Sequence, residues 1–323
     1  MKILVIGGAG YIGSHIVYEL NDQGYDVIIL DNLSTGIKKN IDPRAFFING
    51  STHSIDDLNK VMQLEIDVVI HLGEYKSAGE SMVDPKKYFY NNLIGSINVL
   101  KACLINGINT IIYSSTAAVY GTPEYIPINE SHSLKPISYY GELKYQIERN
   151  LSWLSSINDI RFGILRYFNV AGYDVKGRIK GIEKNPTNLI PLVLEVASGV
   201  RKKIEVFGND YDTYDGTGIR DYIHVTDLAV AHIKVIDYAM RNKENLIVNI
   251  SNGKGHSVFD VINKVELITE KDILFDIVAR RPGDPDRVIA ISDKISDLLN
   301  WNTEFSDLET IIQTAWDVYK IKG

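Results

Sequence analysis

In the first half of the chain, short β-branched runs alternate with helical patterns. KILVI at 2–6 precedes a helical stretch over 11–23, VIIL fills 27–30, another helical stretch starts at Ser54, VVI fills 68–70 ahead of a helix from about residue 84, and TIIY fills 110–113. This alternation predicts a parallel sheet wrapped by helices, because parallel neighbours need a crossover connection long enough to hold one. The strands are continuous apolar runs, so both faces of the sheet are expected to be covered. From 138 to 157, Tyr140, Leu143, Ile147, Leu151 and Leu154 recur at helical spacing and mark one buried face. That helix and the one over about 88–106 could equally pack on the sheet or form a subunit contact.

At 323 residues, with 45% hydrophobic and 23% charged residues, the chain is long and apolar enough for about two folded domains. Composition changes near residue 170: the stretches 172–188 and 208–218 are rich in Gly, Asp, Asn and Lys and too long for ordinary connections. The expected organisation is a doubly wound, Rossmann-like α/β domain over 1–170 and a smaller α/β substrate domain over 171–323, with some of its segments returning to the sheet. A net charge of −7 and only short basic clusters such as Arg201-Lys202-Lys203 argue against nucleic acid or an anionic membrane as partner. The lone Cys103 fits a reducing compartment, so a cytoplasmic location is expected. The seven histidines lack zinc spacing and no metal is expected. The apolar start ILVIGGAGYIG is too short and glycine-rich to span a membrane and lacks a cleavage pattern.

Two constellations carry chemistry. GGAGYIG at 7–13 follows the first strand and opens a helix, placing Gly7, Gly10 and Gly13 where backbone must turn tightly and N–H groups can face a pyrophosphate. Asp31 ends the next strand, where a carboxylate can accept bonds from an adenosine ribose, and no Arg lies between 31 and 36 to greet a 2′-phosphate. NAD is therefore expected in preference to NADP. The second constellation is Tyr140 and Lys144, one helical turn apart, preceded by SSTAAVYG at 114–121. A cation beside a phenol favours phenolate, so Lys144 is expected to draw Tyr140 down from its usual range near 10 toward a base useful at neutral pH. Thr116, at a strand end, can bond the same substrate hydroxyl.

These residues, with KSAGES (76–81), Asn91-Asn92, RYFNVAG (166–172), GNDYDTYDGTGIRDYIHVTDLA (208–229) and ARRPGDPD (279–286), resemble the extended short-chain dehydrogenase/reductase family, within it the nucleotide-sugar 4-epimerases. The resemblance runs over essentially the whole chain. It implies tightly held NAD, a UDP-sugar substrate, reversible interconversion of UDP-glucose and UDP-galactose through a bound 4-keto sugar, and a homodimer. It implies catalytic roles for Tyr140, Lys144 and Thr116. Cofactor contacts are implied for Gly7, Gly10, Tyr11, Ile12, Gly13, Asp31, Asn32, Leu33, Ser34, Thr35, Gly36, Ser51, Thr52, Leu72, Gly73, Lys76, Asn91, Ser114, Tyr167 and Phe168, besides Tyr140 and Lys144. Substrate contacts are implied for Lys76, Thr116, Tyr140, Asn169, Asn188, Leu189, Val206, Phe207, Arg220, Arg281, Asp284 and Val288.

The chain departs from the family pattern in places. Ser51 stands where an Asp usually meets adenine, which implies looser adenine recognition. Gly73-Glu74 replaces small apolar residues, and a Glu beside a diphosphate would repel it, so the Glu74 side chain is expected to point away. YGELK lacks a positive charge common in the family. Val288, where a bulky Tyr is an alternative, leaves room for an N-acetyl group, so UDP-N-acetylglucosamine and UDP-N-acetylgalactosamine are expected as further substrates. A 4,6-dehydratase, a glucuronate epimerase or a non-catalytic NAD sensor are the competing readings. Ala117-Ala118, where dehydratases carry Asp-Glu, counts against the first.

Overall fold

A computed structural model describes residues 1–281 and 283–321. In chain order the first elements are β1 (Lys2–Ile6), α1 (Tyr11–Asp22), β2 (Asp26–Asp31), β3 (Phe46–Asn49), α2 (Ile55–Met62), β4 (Val68–His71), α3 (Ala78–Val83), α4 (Pro85–Tyr88), α5 (Gly95–Ile105), β5 (Thr110–Thr116), α6 (Tyr139–Ile157) and β6 (Arg161–Tyr167). They are followed by β7 (Asn169–Ala171), α7 (Leu189–Ala197), β8 (Ile204–Phe207), β9 (Ile219–His224), α8 (Val225–Asn242), β10 (Leu246–Ile250), β11 (Gly255–His256), α9 (Val258–Thr269), β12 (Phe275–Val278) and β13 (Arg287–Val288), and two further helices close the chain.

Packing divides the chain into two units: Met1–Gly121, Leu134–Arg166 and Ala229–Val248 form the first, and Thr122–Ser133, Tyr167–Leu228 and Asn249–Gly323 the second. The main sheet has the order β10-β6-β5-β4-β1-β2-β3, and the ladder from β3 through β2, β1 and β4 to β5 is parallel. The chain winds outward from β1 first to one side and then to the other. The switch point therefore lies between β1 and β4, where open α/β sheets place ligands at the strands' carboxyl ends.

The apolar runs read from the sequence are the core of this unit: Leu4, Ile28, Val69 and Ile111 of the strands pack with Leu58, Val99, Ile147 and Leu151 of the helices. On α6, Tyr140, Leu143, Ile147 and Leu151 are buried and Leu154 packs partly buried against the same cluster. The helix expected over about 88–106 is not uniform: α4 and α5 are joined by a π-helical turn, Phe89–Ile94. Helix α6 is capped by Ser138, whose hydroxyl accepts the Gly141 N–H at 3.2 Å. A Cβ on Gly141 would lie 2.5 Å from the Ala118 carbonyl oxygen, so glycine lets the helix start against the loop that ends β5.

In the second unit β9 pairs with β7 and β13 in parallel and with β11 antiparallel, and β8 pairs with β12 in parallel. The 208–218 loop is stitched by its own bonds: Tyr211 N–H to Gly216 O at 2.9 Å, Thr213 hydroxyl to Thr217 O at 2.7 Å, and Asp215 accepting from Thr217. Among the described residues no helix is long and apolar enough to cross a membrane.

Candidate functional site

The glycine loop after β1 is shaped by close backbone approach. Gly7 has φ +84°, and a Cβ on it would lie 2.8 Å from the Gly73 nitrogen at the end of β4. On Gly13 a Cβ would lie 2.2 Å from the Gly7 oxygen. Gly10 caps α1 with no side-chain bond to the first turn, so the helix offers peptide N–H groups and its positive dipole end at the switch point. Asp31 ends β2 and accepts the Ala9 N–H at 3.0 Å and the Leu33 N–H at 2.7 Å. Burial raises its carboxyl above the usual range, and those two bonds pull it back in part. Asn32, Ser34, Thr35 and Gly36 complete this turn, where a Cβ on Gly36 would meet an Asp31 oxygen at 2.7 Å. An uncapped helix terminus, a glycine cradle and a carboxylate at the next strand end fit a dinucleotide's pyrophosphate and ribose.

Around this cradle, the Lys76 ammonium lies 5.7 Å from the Tyr11 ring centre, with Ile12 the next residue of α1. Leu72 bonds back to β1, its N–H on the Ile6 oxygen at 2.9 Å. Ser51 donates its N–H to Asp57 and accepts the His53 N–H at 3.2 Å, so its hydroxyl already serves a turn. The Thr52 carbonyl accepts from Asn98. Asn91 donates its amide to Asn92 at 3.1 Å. Asn92, part of the quoted Asn91-Asn92 motif but given no role from sequence, holds both backbone polar groups of Tyr75, accepting its N–H at 3.0 Å and donating to its carbonyl at 2.8 Å.

Tyr140, Thr116, Ser114 and Lys144 gather where β5 ends. Thr116 accepts the Ala118 N–H at 3.2 Å and stands close enough to the Tyr140 phenol to favour its ionised form. The Tyr140 peptide N–H is taken by Ser81 at 3.0 Å, and the Ser81 hydroxyl donates to Ala78 O at 2.6 Å. Ser81 lies inside a segment the sequence had marked, but this task is a tertiary one with no local signature. Lys144 donates to the Ser114 carbonyl at 2.6 Å and lies 5.8 Å from the Tyr140 ring centre.

The Lys144 ammonium is held at 2.5 Å by Glu74, both side chains 3% exposed. The other Glu74 oxygen accepts the Ser96 hydroxyl at 2.6 Å and the Tyr113 hydroxyl at 3.1 Å. Because Ser96 spends its one proton on Glu74, the His71 ring, 2.8 Å from Ser96, must donate from Nε2. Burial pushes His71 down to about 4, with Glu74 pulling it up and Lys144 down, so the ring is neutral. Burial pushes the Glu74 carboxyl up, but the Lys144 ammonium, helped by the Ser96 bond, outweighs it and holds the group below its usual range. The Glu74 carboxylate, expected to avoid the glycine loop, is spent on Lys144, Ser96 and Tyr113.

That corrects the expectation for Tyr140. Burial pushes the phenol up first, Lys144 pulls it down, Glu74 pushes it up again and the Thr116 bond lowers it; the balance lies above the ordinary value. Lys144 alone does not produce a neutral-range base here, because burial outweighs its pull and the Glu74 carboxylate adds to the opposition.

In the second unit, Arg220 pairs with Asp284 at 2.5 Å and donates to Ile219 O at 2.8 Å. Val288 stands opposite Arg220 in the β13–β9 ladder. The Arg281 guanidinium lies 3.8 Å above the Phe207 ring, and Val206 is buried beside it on β8. Asn169 donates to Asp221 O at 3.1 Å. Asn188 caps α7, which opens with Leu189, without a side-chain bond to it. Tyr167 and Phe168 are buried and fall in this unit. His224 is buried, accepts the Thr226 N–H at 3.0 Å and meets Thr314 at 3.0 Å, a packing role.

Residues 3–251 match the NAD dependent epimerase/dehydratase family. The chain is 42% identical over 318 residues to the UDP-glucose 4-epimerase of Lacticaseibacillus casei, covering 98% of this chain and 96% of that protein. Its fold is similar to the crystal structure of UDP-glucose 4-epimerase from Stenotrophomonas maltophila with bound NAD and formylated UDP-arabinopyranose, with TM-score 0.95, 34% identity and coverage of 100% and 98%. It is also similar to the UDP-Glc/GlcNAc 4-epimerase of Campylobacter jejuni, with TM-score 0.86, 37% identity and 99% of both chains covered.

Proposed function

The chain belongs to the NAD dependent epimerase/dehydratase family, and from that premise we propose that it is an isomerase that binds NAD and interconverts UDP-glucose and UDP-galactose by inverting C4, with Tyr140 as its base. The observation that carries the reading is the convergence of Tyr140, Thr116 and Lys144 at the end of β5, tied through Glu74 to the Gly73 that abuts the glycine cradle. The α1 terminus, the cradle and Asp31 would hold NAD. When bound, NAD would supply a reversible two-electron acceptor for the C4 hydride, so no net oxidation results.

Tyr140 takes the proton of the sugar 4-hydroxyl and later returns it. Thr116, beside Tyr140, aligns the same hydroxyl. The 4-keto sugar turns to present its other face before the proton comes back. Arg220 and Arg281 supply planar forks for the diphosphate; Arg220 keeps one edge on Asp284. Water elimination would need an acid and a base beside Thr116, and Ala117 and Ala118 carry neither.

The small Val288 side chain beside Arg220 extends the reading to UDP-N-acetylglucosamine and UDP-N-acetylgalactosamine. Product analysis with both hexoses and both N-acetylhexosamines is expected to show interconversion within each pair; hexose turnover alone overturns the extension. Tyr140→Phe is expected to cost about 10³-fold in kcat with the fold and NAD retained. A loaded variant as fast as the wild type overturns the assignment of the base. Exposed Ile105 on α5 and Trp153 and Ile157 on α6 suit a subunit contact in a homodimer. Sedimentation as a monomer at micromolar concentration would refute that.

A further inference from the structure

Glu74 is a charged group with no part in the reaction as described, yet it touches the lysine of the catalytic pair. Its two oxygens divide their work, one on Lys144 at 2.5 Å and the other on Ser96 and Tyr113. Lys144 in turn has three fixed neighbours: Glu74, the Ser114 carbonyl at 2.6 Å and the Tyr113 ring, whose centre is 4.9 Å away. We propose that Glu74 is a positioning residue that anchors Lys144 and, by pairing its charge, sets how readily Tyr140 gives up its proton. The proposal rests on the reading of Tyr140 as the base.

The physical ground is the difference between a charge and a pair. A lone ammonium acts on a nearby phenol with an energy that falls as the inverse of distance. An ammonium in contact with a carboxylate acts as a dipole, whose field falls faster. At 5.8 Å from the Tyr140 ring centre, Lys144 therefore does less for the phenolate than its charge suggests, and the carboxylate itself opposes ionisation. Burial keeps water from screening either group. The other titratable groups around Tyr140 do not duplicate this effect. His71, behind Ser96, is neutral. Tyr113 on β5 is buried and held well above its usual range, hence neutral. Tyr88 of α4 meets the Tyr140 ring edge-on at 6.4 Å and spends its proton on Glu80, which Lys87 neutralises at 2.6 Å. Tyr75 and Tyr139 pack against the same cluster.

The experiment is a titration of Tyr140, followed as ultraviolet tyrosinate absorbance of each NAD-loaded protein minus that of its Tyr140→Phe counterpart, alongside the pH profile of kcat. Glu74→Gln keeps the shape and an acceptor oxygen but removes the charge. Its Tyr140 midpoint, and the acid limb of kcat, are expected to fall by about one pH unit or more, a tenfold gain in phenolate at low pH. Glu74→Asp, which keeps the charge, is expected to stay close to the wild type. The double variant Glu74→Ala with Tyr113→Phe removes both ends of that contact, leaves no tyrosine hydroxyl stranded, and is expected to shift in the same direction. Folded Glu74→Gln or double variant with an unmoved or raised midpoint overturns the proposal and leaves Glu74 a packing residue. That result is distinguishable from failure of the functional reading, in which Tyr140→Phe itself would retain epimerase activity.

Discussion

Helix α6 carries two buried ion pairs one turn apart, and they are built differently. Glu148 takes the Arg166 guanidinium with both oxygens, at 3.0 and 2.5 Å, and also accepts the Ser115 hydroxyl; Arg166 has a further bond to Tyr120 at 3.1 Å. That is a fork-to-fork contact with its remaining capacity used, and it locks α6 to β5 and β6. Lys144 and Glu74 meet at a single point, and the lysine faces the ring on which the chemistry turns. A planar, multiply bonded pair fixes geometry, whereas a point contact next to a reacting group leaves its field adjustable. The same helix thus spends one buried carboxylate on shape and meets another that acts on basicity.

The largest effect that tests this contrast is on the structural pair. Glu148→Ala leaves Arg166 charged and buried, and is expected to cost about 3–5 kcal/mol of stability, read as a lower urea midpoint, while the Tyr140 midpoint stays in place in whatever fraction remains folded. Replacing Glu148 and Arg166 together by methionines should recover most of the loss, because apolar side chains of similar volume substitute well for a buried pair. A Tyr140 midpoint that moves in Glu148→Ala as far as in Glu74→Gln would break the distinction between the two pairs.

What the sequence made legible follows the range over which each signal acts. The sheet, its covered faces and the buried stripe of α6 are written in residues a few positions apart, and the glycine loop and Asp31 stand at the strand ends where spacing put them. The Tyr140–Lys144 pair was legible because i and i+4 share a helix face. Its electrostatics were not: burial raises the phenol most, and the carboxylate that opposes Lys144, Glu74, follows a different strand, where the sequence pattern says only that it should avoid a diphosphate. Asn91 and Asn92 show the same limit. Both stood in the motif, and only the tertiary structure shows that Asn92 holds the Tyr75 peptide. In the second unit, Arg220, Arg281, Asp284 and Val288 could be named only through resemblance, since no local periodicity relates residues spread over several short strands.

The smallest effect expected concerns how Tyr140 is aimed. Tyr140 sits in the first turn of α6, where peptide N–H groups have no partner within the helix. Ser81 supplies one, accepting the Tyr140 N–H at 3.0 Å from a fully buried position. Ser81→Ala leaves that N–H unpaired away from water, which should cost about 1–3 kcal/mol of stability. The charge around the phenol is untouched, so kcat should fall by less than about tenfold and the acid limb of the pH profile should not move. Glu74→Gln is the mirror image, with a displaced limb and an intact first turn. If Ser81→Ala displaced the limb as well, then aim and basicity would be one property of this site, and the single-point contact between Lys144 and Glu74 would have to be read as scaffolding like its neighbour one turn along the helix.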